Sequence, residues 1–309
     1  MKFLKPRFWD QSQISFLSVL LFPFSILVIF FNYIKLFTIK SNKFPIPIIC
    51  VGNIYLGGTG KTPLASELFL ILKNLNKKTD FIRKKYESFQ DEINLLKKIG
   101  PVYENSSRKN ALEDAIKNKF EVAVLDDGFQ DLTIKKDFSV ICFNEKQWIG
   151  NGFVIPSGPL REGLSALNRA DCIIINGKRN IDIEKKIIEK NKSVKIFYSK
   201  YIPQNIHEFK NKKIICFAGI GNPVNFFNLL QENEIIMLEK ISFPDHFKYS
   251  KKNLENLKKK AKENNALLLT TEKDYLRIEE NNRSDINFLK INIEIKNKNK
   301  FIDEIKKII

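Results

Sequence analysis

Gly57-Gly58-Thr59-Gly60-Lys61-Thr62 stands between a short apolar run, Pro45 to Val51, and a stretch with helical spacing, Lys61 to Leu75. Leu64, Leu68, Leu72 and Leu75 fall on one side of that stretch. A strand, a glycine-rich turn and a helix in this order restrict the fold more than any other part of the chain. Glycines let backbone N–H groups approach phosphate oxygens, and the helix N-terminus adds its dipole. Gly57, Gly58, Thr59, Gly60, Lys61 and Thr62 are therefore the expected nucleotide-binding set. Lys61 falls where an ammonium meets the β- and γ-phosphates, and Thr62 where a hydroxyl holds Mg²⁺. The loop is longer than the common G-x-x-x-x-G-K-[ST] pattern, because position 55 is Tyr and the preceding glycine is Gly52. The motif indicates a nucleoside triphosphate and leaves the acceptor open.

The second half of such a site is expected at the end of another strand. Glu121 to Leu125 reads EVAVL and runs into Asp126-Asp127-Gly128. A carboxylate at the end of an apolar strand is where a metal ligand belongs. Phe138 to Phe143 and Cys172 to Asn176 read as further buried strands, and residues 91–98 and 182–190 as helices. This alternation predicts an α/β, P-loop NTPase-like fold with a mainly parallel sheet covered on both faces. A second, smaller α/β domain is expected from about residue 206. It has strands at Ile214 to Ala218, Ile235 to Ile241 and Ala266 to Leu269, and helices at Pro223 to Leu230 and Ser250 to Asn264. Phe288 to Ile295 alternates like a strand, and Phe301 to Ile309 has the character of a terminal helix.

Ile14 to Phe31 runs for 18 residues without a charge. At about 1.5 Å per residue it makes roughly 27 Å of helix, close to the hydrocarbon thickness of a bilayer. A cleaved signal peptide would want a shorter apolar core and small residues after it, whereas Asn32-Tyr33-Ile34-Lys35 follows. A buried core helix would not be apolar all round. The segment is expected to be an N-terminal membrane helix, spanning the bilayer or inserted in one leaflet. Basic residues on both flanks leave its direction open. The expected organisation is a membrane helix over 1–37, a P-loop kinase domain over 38–205 and the smaller domain over 206–309.

Lys and Arg outnumber Asp and Glu by 52 to 35, a net charge of +17. The lysines are spread along the chain without a dense basic arm, and Asn, Ile and Phe are also plentiful, as codon bias in an AT-rich genome produces. The surplus reads as solvated surface with attraction to anionic lipid, not as a nucleic-acid footprint. Cys50, Cys142, Cys172 and Cys216 lie far apart without a C-x-x-C pair. That spacing argues against a zinc site or disulfide framework and fits a body on the cytoplasmic side.

Several segments together resemble one family, the tetraacyldisaccharide 4′-kinases of lipid A biosynthesis. They are Val51 to Pro63 (VGNIYLGGTGKTP), Asp126 to Gln130 (DDGFQ), Gly158 to Glu162 (GPLRE), Phe243 to Phe247 (FPDHF) and Thr270 to Asp274 (TTEKD). Their order covers most of the chain, and the apolar N-terminal segment fits too. The resemblance implies that ATP, with Mg²⁺, donates its γ-phosphoryl group to the 4′-hydroxyl of an acylated disaccharide 1-phosphate. The acyl chains would remain in the inner membrane among anionic lipids. Nothing in the resemblance implies nucleic acid or an oligomer.

The resemblance also implies roles. Lys61 and Thr62 take the phosphates and the metal, and Asp126 and Asp127 match the family's metal-site pair. Asp91, followed by Glu92, matches a catalytic base before a helix. His246 matches a histidine that pairs with that base from the other domain, so that domain closure would assemble the two. Arg161 and Glu162 match an Arg-Glu pair near phosphates and metal. The expected catalytic set is Asp91, His246, Lys61 and Arg161, and the expected metal set is Thr62, Asp126, Asp127 and Glu162. Read from the residues alone, Asp91 also suits a helix N-cap, and Lys273-Asp274 a solvated helix start. The sequence departs from the family pattern at Asp131, where a histidine is usual, and at Ile82 to Tyr86, where a Ser-Arg-Gly-Tyr-Gly stretch loses its glycines. The competing class is a membrane-associated partitioning-type ATPase, but its early signature lysine is absent at Leu56 and Gly57.

Overall fold

The computed structural model describes residues 5–11, 13–85 and 90–309. Along the chain the elements are α1 (Phe16–Thr38), β1 (Ile48–Gly52), α2 (Lys61–Asn74), β2 (Thr79–Lys84), α3 (Gln90–Lys97), β3 (Val102–Asn105), α4 (Arg108–Lys117) and β4 (Val122–Asp126). Next come β5 (Phe138–Asn144), β6 (Cys172–Asn176), α5 (Ile181–Lys190), β7 (Lys195–Pro203), β8 (Lys213–Ala218), α6 (Pro223–Glu232) and β9 (Ile236–Ser242). The chain finishes with α7 (Lys251–Glu263), β10 (Leu267–Thr271), α8 (Glu272–Arg277), β11 (Ile286–Leu289), β12 (Ile291–Ile295) and α9 (Lys298–Lys306).

The larger unit holds 5–85, 99–200 and 293–309. Its eight-stranded sheet has the order β12-β7-β6-β5-β1-β4-β2-β3. From β7 to β3 every neighbouring pair is parallel. Strands β1, β4, β5 and β6 are buried along their whole length, the pattern of a sheet covered on both faces. The chain leaves β1 toward β2 on one side, and later strands fill the other side through β5. The carboxyl ends of β1 and its neighbours are therefore the crevice where α/β sheets bind ligands. The smaller unit holds 90–98 and 201–292. Its four strands, ordered β11-β10-β8-β9, are all parallel.

The mainly parallel α/β architecture agrees with the sequence reading. The unit boundaries differ from the expected 38–205 and 206–309 in two places. α3 belongs with the smaller unit because it packs on α8. The last 17 residues return to the larger unit because Phe301, fully buried on α9, stacks edge-on against Phe197 of β7 at 5.4 Å. Neither pairing is visible as a local pattern. The expected membrane segment is one continuous helix to Thr38, with Pro23 inside it and Ser15 capping its start through the Ser18 amide at 3.1 Å. Among the described residues it is the single helix long and apolar enough to cross a membrane, with a mean hydropathy of 2.2.

Asp80 lies on β2 and shares its face with Ile82, whose side chain packs with Ala111, Leu112 and Ala115 of α4. Desolvation there pushes the Asp80 carboxyl up to about 7. The native state then holds a proton that the unfolded chain, near pKa 3.8, has lost. Stability from this group is full below about pH 4 and falls as pH rises through 7, by at most about 1.4 kcal/mol per pH unit. Asp80→Asn is expected to remove that slope and raise the unfolding midpoint at pH 8 more than at pH 5, measured by denaturant titration at both values.

Candidate active site

The phosphate loop is shaped by buried polar contacts. β1 ends at Gly52, where an added Cβ would lie 2.4 Å from the Phe129 Cβ, so only glycine lets the DDGFQ turn pack on the start of the loop. Asn53, fully buried, donates from its amide to Thr59 Oγ1 at 2.9 Å and to the carbonyls of Tyr55 and Gly57. Gly60 has a φ of 94°, a left-handed turn that opens α2 without a side-chain cap. The first N–H groups of α2 are thus left for an anion at the positive end of the helix dipole.

The β1–β4 register places Asp126 beside Val51, and the Asp127 amide donates to the Val51 carbonyl at 2.9 Å. Both carboxylates consequently reach the loop. Asp126 is almost fully buried, with Thr62 Oγ1 at 3.4 Å from its Oδ2 and the Arg83 guanidinium at 3.1 Å. Asp127 has a φ of 58°, and its carboxylate meets Arg161 at 3.1 and 3.3 Å and Lys61 at 3.7 Å. Arg161 is carried by a short ribbon: Tyr55 bridges Leu160, the Leu56 amide donates to the Pro159 carbonyl, and the Arg161 amide donates to the Ile54 carbonyl at 2.7 Å. Gln130 donates to the Asn53 carbonyl at 2.9 Å and to Glu162 Oε1 at 3.1 Å. Glu162 also pairs with Arg169.

The structure therefore gathers Lys61, Thr62, Asp126, Asp127 and Arg161, with Glu162 joined to them through Gln130. Of the expected metal set, Thr62 and Asp126 have the chemistry for a hard divalent cation, whereas Asp127 is engaged by Arg161 and Lys61 and Glu162 by Arg169 and Gln130. Thr62 and Asp126 present a hydroxyl and a carboxylate within a single ion's reach, and Mg²⁺ takes one or two carboxylates plus phosphate and water, not a protein cage. No group of three or more His, Cys, Asp or Glu that could hold a metal occurs among the described residues.

Three arginine-centred contacts were not expected from the sequence. Arg83 belongs to the 82–86 stretch that departs from the family pattern, and Tyr86 lies outside the described residues. Arg83 follows buried Phe81 on the same face of β2, and continuing the β2–β4 register sets it beside the carboxyl end of β4; residues 79–83 are all buried, so no local alternation marks it. Asp131, the other departure, pairs with Arg108 at 3.1 Å, while the same guanidinium donates to the Asp127 carbonyl at 2.7 Å. Burial works against the Asp131 charge, but Thr133 and Arg108 outweigh it and hold its carboxyl below the usual range. Position 131 thus braces the DDGFQ turn from behind.

A second cluster lies in the smaller unit. Asp91 is nearly buried in the first turn of α3. Its Oδ2 accepts from Arg277 at 2.6 Å, and its Oδ1 lies 3.9 Å from His246 Nδ1. Asp91 is thus inside the helix and engaged by a guanidinium. It and His246 belong to one unit, a correction to the expectation that two domains supply them; the packing of α3 on α8 is the reason. Arg277 also donates to Asp274 at 2.8 Å and to the Gly219 carbonyl at 2.9 Å. Asp274 is fully buried and accepts from Thr271, the Gly219 amide and Tyr249. Its neighbour Lys273 pairs with Glu92 at 2.5 Å. The TTEKD segment is therefore a buried framework and not a solvated helix start. Burial pushes the Asp274 carboxyl up, and Arg277 with the three hydrogen-bond donors opposes it. Burial disfavours the Lys273 charge, but Glu92, Asp91 and Asp245 outweigh it and raise the ammonium's pKa.

His246 has a φ of 54°, and its amide donates to the Gly219 carbonyl at 3.0 Å. Desolvation, then Lys273, lower its imidazole below 6.5 against the pull of Asp245 and Asp91. The unfolded chain then binds a proton before the native one does. The stability from this group is present above pH 6.5 and is lost as pH falls through the native pKa. An NMR titration is expected to find the His246 imidazole neutral at pH 7 with a midpoint below 6.5, and His246→Gln is expected to flatten the acid side of the stability profile.

Comparison with known proteins agrees with this geometry. Residues 17–309 match the family described as tetraacyldisaccharide-1-P 4′-kinase, LpxK. A tetraacyldisaccharide 4′-kinase of Pelagibacter ubique (strain HTCC1062) is 44% identical over 96% of this chain and 95% of its own length. One from Rickettsia canadensis (strain McKiel) is 33% identical, over 96% and 95%. A crystal structure of LpxK from Aquifex aeolicus in complex with ATP matches with a TM-score of 0.71 at 26% identity, covering 94% of this chain and 99% of that one. The partitioning-type ATPase is not favoured. With a phosphate loop, a paired-aspartate turn and a match over nearly its whole length, the chain belongs to the tetraacyldisaccharide-1-P 4′-kinase family.

Proposed function

We propose that this chain transfers the γ-phosphoryl group of ATP to the 4′-hydroxyl of tetraacyldisaccharide 1-phosphate, in the manner of its family, and that its residues divide the work as follows. The observation that carries the reading is the convergence of Lys61, Arg161, Thr62 and the Asp126-Asp127 pair at the end of β1 and β4. The open amides of α2 and the Gly57–Gly60 turn bind the phosphates. Lys61 and Arg161, now engaged with Asp127, exchange part of that pairing for the phosphoryl oxygens and neutralise charge that spreads over them. Thr62 and Asp126 would hold Mg²⁺, with Asp127 and Glu162 in the surrounding shell. When bound, the ion would supply positive charge that offsets the charge on the phosphates.

As the sugar oxygen bonds to the γ-phosphorus, the bond to the bridging oxygen of ADP breaks and the hydroxyl proton must leave. Asp91 is the proposed acceptor. Arg277 occupies its Oδ2, which leaves Oδ1 on the side of His246. A neutral His246 can accept a hydrogen bond beside Asp91 without adding positive charge next to Lys273, so the proton passes to the Asp91 carboxylate. The body is proposed to sit on the cytoplasmic side of the inner membrane, held by α1 and by attraction of its basic surface to anionic lipid.

The test incubates the detergent-solubilised protein with γ-labelled ATP, Mg²⁺ and the acylated disaccharide 1-phosphate. Label is expected on the lipid, and its loss on chelation of the metal. Lys61→Ala and Arg161→Ala are each expected to lower kcat by about 10²–10³-fold. Asp91→Ala is expected to cost about 10²–10⁴-fold. Wild-type turnover in Asp91→Ala would remove that residue from the mechanism, and ATP hydrolysis without lipid labelling would sink the acceptor assignment.

A further inference from the structure

The apolar helix carries a polar seam. Ser18, Ser25 and Asn32 recur at intervals of seven, about two turns, so they share one face of α1. Most of the remaining helix surface is exposed and apolar, Phe16, Phe24 and Phe31 among it, while Leu21 and Val28 are half-buried. Each seam residue meets the same loop, and the partners advance with the helix. Ser18 Oγ accepts from Asn151 at 3.1 Å. Ser25 Oγ donates to the Val154 carbonyl at 2.7 Å and accepts from the Ser157 amide at 3.1 Å. Asn32 donates from its amide to the Arg161 carbonyl at 3.1 Å. The loop thus lies along the helix and delivers Arg161 at the far end of the contact.

The Arg161 backbone is consequently held from two sides. Its N–H is bound by the Ile54 carbonyl in the phosphate loop after β1, and its C=O by Asn32 on the membrane helix. The segment before the helix reaches the same ribbon, since Lys5, Asp10 and the Tyr55 hydroxyl are mutually hydrogen-bonded and Tyr55 bridges Leu160. We infer that Asn32 is a positioning residue for phosphoryl transfer: it aims the Arg161 guanidinium at the phosphate site from the membrane helix, so that seating of α1 and competence of Arg161 are linked. This rests on the reading of Arg161 as a contact to the transferred phosphoryl group. An asparagine is costly on a helix that otherwise faces lipid, and leucine would favour both the helix and the bilayer. A purely anchoring role therefore predicts that Asn32→Leu keeps or improves function, and a positioning role predicts the opposite.

The experiment is a double-mutant cycle in the full chain, with kcat, KM for ATP and partitioning onto phosphatidylglycerol vesicles measured for each variant. Asn32→Leu is expected to lower kcat by about tenfold or more, with vesicle binding undiminished and KM for ATP within about twofold of wild type. Asn32→Gln, which keeps the donor, is expected to recover most of the loss. In an Arg161→Ala background, Asn32→Leu is expected to change kcat by less than about twofold. Equal losses from Asn32→Leu in both backgrounds, or no loss in the wild-type background, overturn the inference while Arg161 keeps its role. Full activity in Arg161→Ala alone would instead overturn the Arg161 reading, and this inference with it. If Asn32→Leu fails to fold, the same cycle run with Asn32→Ala separates positioning from anchoring in the same way.

Discussion

The parallel pairing of β1 with β4 is the constraint on which the site depends. Its register sets Val51 opposite Asp126, and the following amide closes onto Val51, so two adjacent carboxylates emerge beside the phosphate loop. Arg83, Lys61 and Arg161 are each held by one of them. Arg83 and Thr62 meet Asp126, while Lys61 and Arg161 meet Asp127. A slip of one residue would send the Asp126 side chain to the opposite face of the sheet and dissolve these pairs. The absence of a side chain at Gly52 matters for the same reason, because the DDGFQ turn rests against that backbone.

The smaller unit solves a different problem, holding many charges in a dry interior. Asp91, Asp274 and Arg277 are all buried or nearly so, and removing one partner from such a set is costly, about 3–5 kcal/mol. Arg277 balances two carboxylates, and Gly219 supplies both an amide to Asp274 and a carbonyl to Arg277 and His246. The result is a rigid setting for one carboxylate oxygen of Asp91 and one imidazole. The FPDHF and TTEKD segments, which lie far apart in the chain, owe their chemistry to this shared framework.

Legibility differed between local and long-range features. The phosphate loop, the EVAVL strand with its two aspartates and the long apolar helix were each readable because their signals are local: a glycine spacing, a charge after an apolar run, a length without charge. β2 and β3 were not singled out. Thr79–Lys84 mixes buried Asp80 and Arg83 with Ile82 and Phe81, and so lacks the clean apolar run of the central strands. The pairing of Asp91 with Arg277 joins residues whose partnership rests wholly on the packing of α3 against α8. The family resemblance singled out Asp91, His246, Arg161 and Glu162, which the structure finds in two clusters, but it placed the first two on separate domains.

By itself the sequence determined the chemistry available to this protein: a glycine-rich turn before a helix, paired carboxylates after an apolar strand, a surplus of positive charge and a long apolar helix. These follow from residue type and short spacing, which set backbone freedom, charge and apolar length. Only the tertiary structure decided which charges face each other and which are braced from behind. It put Arg83 on Asp126, turned Asp131 into support for the DDGFQ turn, and stitched α1 through Ser18, Ser25 and Asn32 to the loop that ends in Arg161. Those decisions depend on strand register and helix packing between distant segments. Their energies are shared among many contacts, and no local window of the chain contains them.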